Sequence, residues 1–235
     1  MTNDISVMMS WKGLGGKVEM GLSEQYEKDL LKSIYLLQLR KPYFTRDELM
    51  EKTGLDAGKS DDVLRQFSRS GMLERRDTDK YALLPEGRSR LRVVLVGGVY
   101  DILHIGHLAA LAEAKTHGDL LVVVVATDIT VETLKGRRPV FPEEDRCALV
   151  GSIKPVDAAI LGYEDVGMGY EQVIDEVKPD IIALGYDQDS VARTVTELVE
   201  KRMLKVRIVR LAKFDREKYL SSSAIRQTFF RETNS

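Results

Sequence analysis

Two histidines, His104 and His107, close a ten-residue run, GVYDILHIGH, over residues 98–107. The chain of 235 residues has three histidines in all, so most of its imidazole chemistry is concentrated in one turn. An apolar run, Val93 to Val96, stops at Gly97 and Gly98 just before it, and a helical pattern of Leu108, Leu111 and Ala112 begins just after. A strand therefore runs into a glycine-rich turn that delivers both histidines to the mouth of a helix. Helix N-termini hold phosphates, because free backbone N–H groups and about half a positive charge gather there. Imidazoles beside them donate hydrogen bonds to phosphate oxygens and neutralise charge that develops during reaction.

Three other roles compete for the pair. A metal site would need a third ligand beyond His-x-x-His, and the lone Cys147 lies in a separate helical segment. Helix capping accounts for one polar residue but not for two histidines around a glycine. A dinucleotide-binding turn would need G-x-G-x-x-G, which is absent, and would leave the histidines idle.

The run fits G-x-(F/Y)-D-x-x-H-x-G-H and resembles the HxGH nucleotidyltransferases of the cytidylyltransferase-like family. These join a nucleoside monophosphate from ATP or CTP to a phosphorylated acceptor and release pyrophosphate. The likeness extends over about residues 91–231. The wording KGRRPVFPEEDR at 135–146, DAAILG at 157–162 and KPDIIALGYDQ at 178–188 is similar to that of archaeal-type FAD synthases. Tyr100 replaces the common Phe, and an N-terminal domain is added.

The resemblance implies an FMN adenylyltransferase with ATP and FMN as substrates and a Mg²⁺ ion bridging the phosphates. It implies that His104, His107 and Lys135 are catalytic, with Lys135 reaching the phosphates from a basic loop. Gly98, Val99, Tyr100, Asp101 and Gly106 would shape the nucleotide site, and Asp187 would orient adenosine. Asp101 would either touch the metal or pin the turn by accepting from backbone N–H groups. Tyr219, Ser221, Ser222 and Ser223 resemble the I-S-T-T-x-I segment that closes the family's site, with hydroxyls placed to cap a helix or wrap a phosphate. Arg146 matches an R-x(10)-V-D pattern and is expected on a phosphate or the acceptor, or else in an ion pair with Asp157 or Glu143. His117, before Gly118, reads as a helix C-terminal residue. Two other functions share these motifs: a CTP-dependent cytidylyltransferase acting on glycerol phosphate or another polyol phosphate, and a nucleotide-sensing DNA-binding regulator.

The elements that must position these residues follow from hydrophobic period. From residue 91 onward, Val/Ile/Leu runs at 91–96, 120–126, 157–161, 181–185 and 206–211 alternate with helical patterns at 106–117, 130–134, 143–153, 170–177, 190–203 and 222–231. Near-continuous apolar strands suit a parallel sheet buried on both faces. The fold class is α/β, and the resemblance implies a Rossmann-like five-stranded sheet of order 3-2-1-4-5. The first and fourth strands are then neighbours at the switch point, where such sheets bind ligands.

Residues 22–90 read differently. Ser23 caps a helix with a Tyr26, Leu30, Ile34, Leu37 stripe, which Pro42 ends. Thr45 and Glu48 have capping-box spacing at the start of a second helix, which Gly54 ends. A third helix at 60–70 turns Val63, Leu64 and Phe67 inward and stops at Gly71. Two short strands follow around Asp77-Thr78-Asp79. This is the pattern of a small winged helix-turn-helix domain. Within 56–70, Lys59, Arg65 and Arg69 balance Asp56, Asp61 and Asp62, whereas a DNA reader presents a basic face. A protein-contact or homodimerisation role is therefore preferred to DNA binding. Residues 1–21 are rich in glycine and methionine without sustained periodicity and read as a disordered tail. The remainder, 91–235, forms the nucleotidyltransferase domain, and every site motif lies in it, so catalysis is expected to need nothing before about residue 90.

A net charge of −2 makes no case for nucleic acid or an anionic membrane as a general partner. One cysteine fits a reducing cytoplasm. No apolar stretch approaches the roughly 20 residues that span a bilayer, and no signal peptide is expected.

Overall fold

The computed structural model describes residues 23–165 and 169–214. The expected tail at 1–21, the helix at 222–231 and the site residues Tyr219, Ser221, Ser222 and Ser223 lie outside the described residues.

The chain opens with α1, Glu24–Gln38, capped by the Ser23 hydroxyl on the Tyr26 amide and burying Leu30, Leu31, Ile34 and Tyr35. It ends four residues before Pro42. Gln38 turns its side chain to tertiary partners, accepting from Leu83 N at 2.7 Å and donating to Pro42 O at 2.9 Å. Phe44–Thr45 forms a two-residue strand, β1, too short to show in a sequence pattern. Helix α2, Arg46–Thr53, starts with the Thr45–Glu48 capping box. Helix α3, Ala57–Arg69, begins three residues before the expected position because the Asp56 carboxylate, at 2.9 Å from Lys59 N, caps it and leaves Ser60 buried inside. Strands β2, Leu73–Asp77, and β3, Lys80–Leu83, pair antiparallel, and β1 joins β3 on its other edge. A short helix α4, Pro85–Arg88, leads onward.

The second unit alternates β4 (Val93–Gly98), α5 (Ile105–Lys115), β5 (Leu120–Val125), α6 (Asp128–Lys135), α7 (Glu143–Gly151), β6 (Ala158–Leu161), α8 (Gly169–Val177), β7 (Ile181–Leu184), α9 (Asp189–Lys201) and β8 (Arg207–Arg210). All five strands run parallel in the order β6-β5-β4-β7-β8, which is 3-2-1-4-5 when numbered within this sheet. Successive side chains of a strand point to opposite faces, so each strand feeds two cores. Val94, Val96, Leu121 and Val123 pack with Leu111 and Ala114 of α5 and Val150 of α7. On the other face, Val93, Leu95, Leu120, Val122 and Ile160 join Val173, Ile174 and Val177 of α8.

That second core does not stop at the sheet. It runs without a break into Leu30, Leu31, Ile34 and Tyr35 of α1 and on to Phe44, Leu49 and Phe67. Polar contacts follow the same seam. Lys28 pairs with Asp119 at 3.0 Å, Arg88 with Asp180 at 2.9 Å, and the Tyr35 hydroxyl donates to Val177 O at 2.8 Å. Arg40 pairs with Glu176 at 2.6 Å and donates to Leu161 O. The helical unit is thus built onto the sheet rather than tethered beside it.

Candidate active site

Strand β4 ends at Gly98, and the chain turns over Val99 to Leu103 before α5 begins behind His104 as N-cap. Tyr100 makes the turn possible at some strain: its φ is 53°, left-handed for a residue with a side chain. Its buried ring lies directly over Gly98, where an added Cβ would come within 2.7 Å of it. Gly106 has the same kind of reason. A Cβ there would meet the His104 imidazole at 3.0 Å. The glycine in HxGH therefore leaves room for the first histidine to fold back over the helix start.

The two imidazoles lie against each other, with centroids 3.9 Å apart and planes tilted by 31°. His107 Nδ1 accepts a hydrogen bond from the backbone N–H of His104 at 3.3 Å. A neutral ring that accepts at Nδ1 carries its proton on Nε2, so this bond assigns a donor to the outer nitrogen. Burial, then the neighbouring His104 and the Lys135 charge, push the His107 imidazole down to about 4. Burial also lowers His104. At neutral pH both rings are uncharged. In the free protein they offer N–H groups rather than positive charge. These join the Ile105 and Gly106 amides at the start of α5, where a helix leaves N–H groups without internal partners; the His107 N–H already donates to His104 O at 2.9 Å.

Lys135 is the last residue of α6, not part of a loop, and its side chain is exposed. The helix was expected from Thr130, but it starts at Asp128 because the Thr127 hydroxyl accepts from Thr130 N at 3.2 Å. Gly136, at φ 64°, then ends it, and the basic loop begins there. Asp101, 4% exposed, ties that loop to the histidine turn by accepting from Val140 N and pairing with Arg137 at 3.3 Å. Its carboxylate is thereby committed to the protein.

Arg146 is a correction. Expected on a phosphate or acceptor, or paired with Asp157 or Glu143, it is fully buried at 0% exposure. Its guanidinium donates to Asp128 Oδ1 at 2.6 Å, Val99 O at 2.5 Å and Phe141 O at 3.0 Å. Asp157 belongs instead to Lys115, and Glu143 accepts from Asp128 N. No face of Arg146 is left for a ligand.

Across the sheet, the β4–β7 ladder stops at Val96 and Ala183. Past it, the strands are spanned by Gln188, which donates to Gly97 O at 3.0 Å and accepts from Gly185 N at 2.7 Å. Asp187, beside it, is exposed. The implied strand order places Gly185–Gln188 beside the histidine turn, but nothing local in the sequence marks Gln188 as a bridge between residues 91 positions apart. Cys147 is partly buried, and burial raises its thiol, so it is no thiolate nucleophile at neutral pH. His117 follows α5 and donates its backbone N–H to Ala114 O. Among the described residues no cluster of three or more His, Cys, Asp or Glu could hold a metal.

A parallel sheet with an HxGH turn at its switch point defines the class, a Rossmann-like nucleotidyltransferase. The chain belongs to the cytidylyltransferase-like family, whose model matches residues 95–228. Its relatives include the FAD synthase of Aciduliprofundum boonei, 48% identical over 121 residues that make up 52% of this chain and 78% of that one. The FAD synthase of Pyrococcus abyssi is 45% identical over 139 residues, 59% of this chain and 92% of that one. The crystal structure of the lipopolysaccharide core biosynthesis protein from Thermoplasma volcanium aligns with a TM-score of 0.49 at 45% identity, covering 53% of this chain and 99% of that one.

Proposed function

We propose that the protein is an FMN adenylyltransferase that transfers AMP from ATP to FMN, giving FAD and pyrophosphate. A phosphate oxygen of FMN attacks the α-phosphorus. The new P–O bond forms as the bond to the bridging α–β oxygen breaks, and pyrophosphate leaves with the electron pair. No covalent enzyme intermediate is needed, because positioning and charge stabilisation suffice for such transfers. The His104 imidazole, the Nε2–H of His107 and the α5 amides hold the α- and β-phosphates, and Lys135 meets the charge that builds on the α-phosphate. Gly98, Val99, Tyr100 and Gly106 shape the cradle, and Asp187 orients adenosine at the switch point. Ser221, Ser222 and Ser223 hold the β- and γ-phosphates, and Tyr219 belongs to the same nucleotide-binding segment. A Mg²⁺ ion would be held by the ATP phosphates and water rather than by protein ligands, and would supply charge neutralisation there.

The choice of acceptor is carried by the apolar rim of the site. Ile129, Leu134, Val140, Phe141, Tyr163 and Tyr186 are all exposed, and all lie in segments that follow the C-terminal ends of β5, β6 and β7. Exposed large apolar side chains in the segments beyond the strand ends offer surface to an apolar ligand. A flat, largely apolar isoalloxazine uses such a rim, and glycerol phosphate does not. The names of the two FAD synthases support the same acceptor. Incubating the protein with Mg²⁺, FMN and either ATP or CTP, then resolving FAD by chromatography, tests the proposal. FAD should form with ATP. Its absence, or turnover only with CTP and a polyol phosphate, would overturn it.

Residues 22–90 are read as a winged helix-turn-helix unit that serves protein contact, including homodimerisation, rather than DNA. Five cations of its second and third helices and wing are spent internally: Lys59 on Asp56, Arg65 on Asp62, Arg76 on Glu74, Arg46 on Asp61, and Arg75 on the wing carbonyls of Asp77 and Thr78. Phosphate contacts dominate DNA affinity, and paired cations supply few. Electrophoretic shifts with duplex DNA at physiological salt should show weak binding, with or without flavin.

A further inference from the structure

We propose that Arg146 is a positioning residue, and that its buried guanidinium sets the distance between the histidine turn and Lys135. This rests on the adenylyltransferase reading above. Arg146 reaches one acceptor in each of the three segments that build the catalytic edge. Val99 O lies in the turn that leads to His104. Asp128 is the first residue of α6, whose last residue is Lys135. Phe141 O closes the loop that leaves Lys135. The same three segments are held by two neighbouring groups. Glu143, at the start of the helix that carries Arg146, accepts from Asp128 N, and Asp101 accepts from Val140 N.

A guanidinium stripped of water is costly unless every donor is met, and an apolar side chain of similar volume would often pack there more favourably. Filling space does not explain an arginine at this position. What it provides is direction, because its planar fork can bind several acceptors at once in fixed geometry, which no apolar or single-point cation can do. Helix α6 is a rigid rod once capped, so fixing its first residue against the turn also fixes Lys135 at its far end. Lys135 is close enough for its charge to bear on His107.

The test is a double-mutant cycle between Asp128→Ala and Lys135→Ala, read in FAD formation and in Mg–ATP affinity by calorimetry. Asp128 is the half-exposed partner of Arg146, so it can be removed without emptying the core. Because effects acting through one group are not additive, Asp128→Ala should lower kcat/KM by about tenfold alone and by less than about twofold in the Lys135→Ala background. Asp128→Asn, which keeps shape and an acceptor oxygen, should fall between wild type and Asp128→Ala, and it replaces the alanine variant if that melts without cooperativity. Equal losses in both backgrounds, or a cooperatively folded variant within twofold of wild type, would overturn the proposal. Wild-type protein that binds Mg–ATP but makes no FAD would instead defeat the adenylyltransferase reading, and the cycle would still be read in the binding data.

Discussion

The backbone N–H of His104 donates to Nδ1 of His107 across 3.3 Å, while the two rings rest 3.9 Å apart. The first histidine thus sets the tautomer of the second. The proton of the neutral His107 ring is then on Nε2, the one donor the ring has. The motif is an arrangement in which one residue's backbone prepares the other's side chain.

Replacing His107 with alanine should leave the fold intact and remove that donor. Loss of one charge-stabilising donor at a reacting centre costs roughly 10²–10³ in turnover. Steady-state kinetics beside circular dichroism measures it. A loss under tenfold with an unchanged spectrum would place His107 outside the chemistry.

Acid should destabilise the free protein through the same residue. His107 titrates at about 4 when folded, against 6.5 for an ordinary imidazole. Between those values the unfolded chain binds the proton and the folded one resists it, so unfolding free energy falls as pH drops from 6.5 to about 4. Denaturant titrations across that window should show a shallower slope for His107→Gln than for wild type. Parallel slopes would mean that His107 does not titrate as its surroundings imply.

Gly106→Ala should impair activity while sparing the fold. The added methyl meets the His104 ring at 3.0 Å, so the imidazole must give by a few tenths of an ångström. Because a displacement on the order of 1 Å can cost about a hundredfold, this smaller one should lower turnover by up to about tenfold with little change in melting temperature. Gly98→Ala makes the contrast. Its methyl would strike the buried Tyr100 ring at 2.7 Å, and overpacking of this kind costs about 1–3 kcal/mol of stability.

Cutting the chain before Arg90 should not release an active domain, although every site motif lies after that point. The cut strips α1 from the core that contains Leu120, Val122 and Ile160. Each such side chain fully returned to water forfeits about 1.5–3 kcal/mol. The fragment should aggregate or melt well below the full chain in a thermal-shift assay. A soluble fragment with full activity would show that the shared core is dispensable.

The information carried by the order of the residues is local. Period and capping chemistry act over three or four residues, so Ser23, Thr45 with Glu48, and the strand–turn–helix around His104 and His107 are all legible in the order of the residues. Five apolar runs alternating with helices likewise dictate a parallel sheet, since only that arrangement buries such strands on both faces. Tertiary structure decided what joins distant positions. Arg146 chose Asp128 rather than Asp157 or Glu143 because the crossover folds α7 back across the start of α6. Gln188 reached Gly97 because β7 lies beside β4. Helix α1 became part of the sheet's core although its own stripe suits any apolar partner. In each case the pairing depends on which surfaces the fold brings together, and neither the residue type nor its neighbours in the chain carry that information.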